Sequence, residues 1–406
     1  MRTENQTKET ISQRLGETYQ SVLNVLKCAL WNSGEASVDR EVFLELKHHA
    51  VSTLPAGVLS SLTMPEKMRA VWQQEIYQQI SYNANYRHEQ AALPVSVPYV
   101  ILKGTSAAKY YPHPEYRSMG DIDIMPQRKD FAAACEELLQ NGYIETTDEI
   151  TRKFGRHRQF RKNGIEIEVH SFFAIQNNQE QAALLDQMIL DHIGSSHELP
   201  DDINGLVLLD HISYHMEEGL GLKQIIDWMM YVNRCLPDEM WPSFQELARR
   251  TGHEQLAVIT TRMCEIYLGL PEHHFCASVD PAVCEQFMEY IFQCGNFGRK
   301  QRTDEDSMVS KNFLTNARTV KGTFLFLQKR GLINWQAATK FPFLRPFAWL
   351  HQAFRYLKKG LRRKESLGKL KTEHEAAQKR NQLFDALGVT REGKGIVRYQ
   401  NGKYLK

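Results

Sequence analysis

The sequence predicts an α+β fold: a small mixed-sheet core embedded in a mostly helical chain. Three observations predict it. Strand-like runs are confined to one stretch, from about Pro94 to Phe173; helical periodicity dominates on both sides; and Asn163-Gly164 within the stretch marks a two-residue hairpin. At 406 residues the chain is long enough for about two or three domains. The expected division is an N-terminal helical region over 1–94, an α/β core over 95–178, a helical domain over 179–360 and a basic helical tail over 361–406.

Each element follows from local pattern. Residues 8 to about 94 read as helical, with Leu23, Leu26 and Leu30, then Val42, Phe43, Leu46 and His49, at helix spacing. Glu66–Ala92 forms one long helix with Pro65 at its start, and Pro94 and Pro98 stop it. Val97–Leu102 is a short apolar run of the buried-strand type. It ends at Lys103-Gly104, and Thr105–Tyr111 is expected as a brief helix capped by Thr105 or its neighbour. Asp121–Met125 alternates as a strand and is closed by Pro126, and Phe131–Leu139 carries an amphipathic helical stripe ended by Asn141-Gly142. Arg156–Lys162 and Ile165–Phe173 are the two hairpin strands. In the second, Ile165, Ile167 and Val169 face one way and Glu166, Glu168 and His170 the other. Helices then return, expected at Leu206–Met216, Leu222–Cys235, Phe244–Thr251, Gln255–Leu268 and Ala282–Gln293, with more between Thr315 and Leu387; Gly219 and Gly221 set the turn between the first two.

Composition excludes some classes. Hydrophobic residues at 42% and charged residues at 24% are ordinary for a globular chain and rule out wholesale disorder. Net charge is only +2, but residues 341–406 hold 16 Lys and Arg against 5 Asp and Glu, so an acidic body carries a basic tail suited to an anionic partner. The 7 cysteines are scattered, with no CxxC spacing and no pairing logic. No signal-like apolar run opens the chain and no stretch reaches the roughly 20 apolar residues of a spanning helix. The expected setting is reduced and cytoplasmic.

Asp121 and Asp123 lie two apart on a strand, on the same side and ~7 Å apart along the backbone. Two such carboxylates repel and are costly to desolvate unless they share divalent cations. Oxygen-only ligands suit Mg²⁺, and two-metal chemistry usually needs a third acid from a neighbouring strand, which Glu168 or Glu166 can supply. Upstream, a glycine at Lys103-Gly104 allows close backbone approach at a strand-to-helix junction, where free N–H groups meet an anion.

Four ordered blocks carry a resemblance. LKG at Leu102–Gly104, Arg117, DID at Asp121–Asp123 and IEVH at Ile167–His170 resemble the bacterial uncharacterised nucleotidyltransferase family of the polymerase-β superfamily. Tyr214–Trp228 is similar to a motif of the family's helical half and Phe341–Leu357 to its usual C-terminal end, so coverage runs roughly from Tyr82 to Leu357. The resemblance implies transfer of a nucleoside monophosphate from an NTP to an acceptor (a small molecule, a protein or RNA), with release of pyrophosphate. Asp121, Asp123 and Glu168 would hold two Mg²⁺ ions, and Glu168 would also help to deprotonate the acceptor. Gly104 and nearby N–H groups would cradle the phosphates, with Lys103 or Arg117 offsetting their charge. Where many superfamily members carry Gly-Ser, this chain has Gly104-Thr105-Ser106, which leaves open which hydroxyl touches phosphate. Lys223 stands where the family's arginine is expected; it keeps the charge but loses the planar fork.

Blander roles compete. Arg117 can simply pair with Asp121. His170 reads as a hydrogen-bond partner to a ligand, and His211, His215 and Asp227 as a satisfied core network. The basic hairpin edge (Arg152, Lys153, Arg156, Arg158, Arg161, Lys162, with His157) reads chiefly as a solvated edge. His273, His274, Cys276 and Cys284 fit no standard zinc spacing. The rival from another class is a non-catalytic module of the same fold that binds RNA or an acidic partner; a toxin-like modifier of tRNA or protein shares the chemistry and differs only in acceptor.

Overall fold

The protein is described by a computed structural model over residues 16–148, 151–152, 156–174, 178–194, 196–296, 320–363, 367–389, 399–400 and 403–404. Lys153 of the basic hairpin edge and much of the tail fall outside the described residues. Among the described residues, three α-helices precede the sheet: α1 (Glu17–Trp31), α2 (Arg40–His48) and α3 (Glu66–Ala91). Asp39 caps α2 by accepting from the Val42 N–H at 2.9 Å, a contact worth about 1 kcal/mol. Helix α3 is 26 residues long and mostly polar; its buried stripe is Trp72, Ile76, Asn83 and Tyr86.

The central segment runs β1 (Tyr99–Leu102), α4 (Gly104–Ala108), β2 (Ile122–Pro126), α5 (Phe131–Gln140), β3 (Ile144–Glu145), β4 (His157–Lys162) and β5 (Ile165–His170). These strands form one mixed sheet in the order β1-β2-β5-β4-β3. Only β2 and β5 are parallel, and their register sets Asp123 opposite Glu168. Asn163 and Gly164 adopt φ of 52° and 78°, the two positive angles a type I′ turn demands. That turn fixes the antiparallel register of β4 on β5, placing Gln159 opposite Glu168 and His157 opposite His170.

The sheet is two-faced because side chains alternate. Ile122, Ile124, Phe160, Ile165, Ile167 and Val169 pack with Ala134, Cys135 and Leu138 of α5 in one apolar cluster. Asp123, Glu168 and His170 alternate with them and point to the other face. Strand β1 is buried on both sides: Tyr99 and Ile101 join that cluster, while Val100 and Leu102 join a larger core built by the helices.

Beyond the sheet come α6 (Gln179–Asp191), α7 (Asp201–Glu218), α8 (Leu222–Cys235), α9 (Trp241–Arg250), α10 (Glu254–Leu268) and α11 (Pro281–Cys294). Two of these differ from the sequence expectation. Helix α6 falls in the stretch expected to be helical but is not among the expected segments, although Ala182, Leu185 and Ile189 line its buried side. Helix α7 begins at Asp201 rather than Leu206, since Asp201 and Asp202 suit the positive end of a helix. Further on, α12 (Val320–Asn334), α13 (Gln336–Lys340) and α14 (Ala348–Arg363) leave Phe341, Phe343, Phe347, Leu350 and Phe354 exposed. Among the described residues, no helix is long and apolar enough to cross a membrane.

Candidate active site

Helix α3 holds the loop that delivers Asp121. Tyr82, Asn83 and Tyr86 share one helical face. The Tyr82 hydroxyl donates to the Gly120 carbonyl and Tyr86 to that of Asp121, at 2.9 and 3.0 Å. Asn83 donates to the carbonyls of Glu115 and Arg117 and accepts from the Met119 N–H. Five backbone contacts thus fix the approach to β2, and Asp121 lies just before the strand's first residue.

Carboxylate oxygens of Asp121, Asp123 and Glu168 lie within 4.8 Å of one another. An all-oxygen donor set this tight fits a divalent cation. Asp123, 1% exposed, is flanked by the Lys103 ammonium and the His170 ring, with Lys103 Nζ at 2.6 Å and His170 Nε2 at 2.8 Å from its Oδ1. Burial works against the Lys103 charge, but Asp123, Asp121 and Glu168 outweigh it and raise its pKa. Burial and then the Asp123 charge push the Asp121 carboxyl up to about 6. Glu168 goes the opposite way. Despite burial, its hydrogen bond to His170 and the charges of His170, His157 and Lys103 hold it well below the usual range. It stays ionised, a good cation ligand and a weak base. Gln159 Nε2 fixes its orientation by donating to Oε1 at 2.8 Å.

Lys103, Asp121, Gln159, Glu168 and His170 line a cavity of about 280 Å³, with Asp123 buried behind them. Its opposite wall is α7, which contributes Asp210, His211, Tyr214 and His215. The Nε2 atoms of His211 and His215 are 2.8 Å apart, and burial followed by the His215 charge keeps His211 far below the usual histidine range. Arg156 stacks over the Tyr214 ring at 4.9 Å.

Other expected site residues are placed differently. Arg117 is 3% exposed and bound at both ends to Asp227, Nε at 2.6 Å and a terminal nitrogen at 2.7 Å, rather than to Asp121. The guanidinium expected to offset phosphate charge instead ties the sheet to α8, because a buried arginine needs a carboxylate fork. Ser106 donates its hydroxyl to the Ile101 carbonyl and Thr105 to Gln90, so both hydroxyls have protein acceptors. No serine or threonine caps α4; Lys103 occupies the cap position. Glu166 is exposed and paired with Arg161, apart from the carboxylate cluster. His273 and Cys276 both meet Glu265, while His274 meets Asp238.

The turn between β1 and α4 carries backbone strain: Lys103 sits at φ 53° and Gly104 at φ 43°. A Cβ on Gly104 would fall against the Tyr86 hydroxyl. Gly104→Ala is therefore expected to cost about 2 kcal/mol or more in urea unfolding. Adding Tyr86→Phe should return part of that loss by removing the obstructing oxygen; no recovery in the double variant would refute the steric account.

Lys223, on the first turn of α8, makes no hydrogen bond or ion pair among the described residues. Burial and then the nearby Arg117 push its ammonium from 10.5 down to about 8. A lysine lowered on folding destabilises the fold wherever it is protonated, and that penalty fades as pH rises from about 8 towards its unfolded pKa. Lys223→Met is expected to be more stable than the parent at pH 7, with the gap closing by about pH 10. Denaturant unfolding at both pH values checks this, and a gap independent of pH contradicts it.

A mixed sheet carrying one aspartate just before a strand and one on it, with an acid on the parallel neighbour and a helical wall across the cleft, is an arrangement suited to a nucleotidyltransferase. Residues 37–269 match the uncharacterised nucleotidyltransferase family, and the chain belongs to it. The match begins well before Tyr82 and ends before Phe341–Leu357, so the latter stretch lies outside it. No curated protein and no solved structure matches the chain.

Proposed function

We propose that the protein is a Mg²⁺-dependent nucleotidyltransferase that moves a nucleoside monophosphate from an NTP to an acceptor. The observation that carries this reading is the meeting of Asp121, Asp123 and Glu168 oxygens within 4.8 Å at the edge of an open cavity. The acceptor's oxygen or nitrogen forms a bond to the α-phosphorus and gives up its proton to solvent, the α–β phosphoanhydride bond breaks, and pyrophosphate leaves with the electron pair. Asp121, Asp123 and Glu168 would hold magnesium, which when bound would supply Lewis-acid polarisation of phosphate oxygens. Lys103 adds a fixed positive charge beside the same carboxylates, and the turn at Gly104 brings backbone close to the phosphates. Glu168 acts as a ligand, since its low pKa makes it a poor base. The cysteines form no disulfide among the described residues, which suits work in the reducing cytoplasm.

Incubation with labelled NTPs, Mg²⁺ and cell extract tests the reading, with mass spectrometry scanning for an adduct of nucleotide mass. NTP binding that strengthens with Mg²⁺ supports the enzyme. One observation favours a second reading: the basic C-terminal region exposes Phe341, Phe343, Phe347, Leu350 and Phe354, a surface suited to an anionic partner. Salt-sensitive RNA binding, indifferent to Mg²⁺ and to Asp121→Asn, would favour a non-catalytic module.

A further inference from the structure

The hairpin carries a donor set beyond the three carboxylates. Its register puts His157 across from His170 and Gln159 across from Glu168, so all four side chains share one face of two rigid strands. His157 Nε2 lies 3.6 Å from Glu168 Oε1, and His170 Nε2 lies 3.4 Å from Glu168 Oε2. One ligand atom from each of the three residues falls within 4.8 Å of the others. Two ligands bound at about 2.1 Å to one tetrahedral ion sit roughly 3.4 Å apart, so the cluster needs little rearrangement. The Nδ1 atoms of both rings are buried and without a hydrogen-bond partner among the described residues. All three residues line the cavity, which gives an ion a way in.

We propose that His157, Glu168 and His170 form a second cation seat, selective for a first-row transition ion such as zinc, cobalt or manganese over magnesium. The chemistry of the donors decides the selectivity. Two imidazoles and one carboxylate suit borderline ions, whereas magnesium prefers oxygen and sheds water reluctantly. Gln159 holds the Glu168 carboxylate in place through its 2.8 Å hydrogen bond. Loading the seat exchanges the contact of His170 with Asp123 for a bond to the ion. The seat needs neither Asp121 nor a nucleotide, although it shares Glu168 with the three-carboxylate cluster.

The full-length protein, stripped of metal, is titrated with cobalt(II) and followed by visible absorption. The expected result is one cobalt ion with intense tetrahedral-type bands, displaced by zinc and resistant to excess magnesium. His157→Ala is expected to weaken cobalt binding about 100-fold. His157→Cys should restore it with a new thiolate charge-transfer band, which also shows that the hairpin still folds. Asp121→Asn should leave the cobalt spectrum unchanged. Equal cobalt binding by parent and His157→Ala overturns the proposal, as does loss of the spectrum in Asp121→Asn or failure of the cysteine variant to give a thiolate band. Cobalt binding of the expected kind in a protein that transfers no nucleotide supports this seat and defeats the reading of the function alone.

Discussion

Asp123→Asn is expected to abolish the proposed nucleotidyl transfer, lowering product formation by about 10³-fold or more, while the protein stays folded. The size follows from losing several kcal/mol of charge stabilisation at about 1.4 kcal/mol per tenfold in rate. The fold survives because asparagine has the same shape and its oxygen still accepts from Lys103 and His170, the two groups now on Asp123 Oδ1. Glu166→Gln is the control: it lies on β5 two residues before Glu168, is exposed and pairs with Arg161, so activity is expected to be retained. Labelled-product assays beside far-UV circular dichroism separate the outcomes. Full activity in Asp123→Asn sinks the mechanism.

Asp227→Ala destabilises the protein by about 3–5 kcal/mol, the range for breaking a buried ion pair from one side. Arg117 loses both its hydrogen bonds to Asp227, and Tyr111 loses the acceptor it meets at 2.7 Å. The cost is one of uncompensated burial, so removing both charges is cheaper than removing one. The double variant Arg117→Met with Asp227→Leu should recover a good part of the stability in urea unfolding. A loss below about 1 kcal/mol in the single variant shows that water reaches the arginine and that the pair is not a structural tie.

Much of this architecture was legible because it rests on local periodicity and turn chemistry. Asn163-Gly164 announced the hairpin, and alternation along Ile165–His170 separated the apolar face from Glu168. The same turn also held unread information. Counting back equally from a two-residue turn pairs residue 157 with 170 and 159 with 168, so the positions of His157 and Gln159 could have been derived. Other features had no local signal. Tyr82, Asn83 and Tyr86 act on backbone carbonyls 32 to 38 residues away, and nothing in a polar helix announces that task. Arg117 finds Asp227 across 110 residues, a separation no spacing rule covers. Burial decided that partner: the aspartate on α8 is enclosed with the arginine, whereas Asp121 faces the cavity.

The placement of Lys103 and His170 on Asp123 has a consequence for how the molecule comes to be made. Three crowded acids would ordinarily resist being brought together until an external ion arrived, as in small metal-dependent domains. Here two side chains of the chain itself stand in as temporary counterions. The nascent polypeptide can complete its architecture in an ion-poor environment and acquire its inorganic component afterwards, by substitution rather than by assembly.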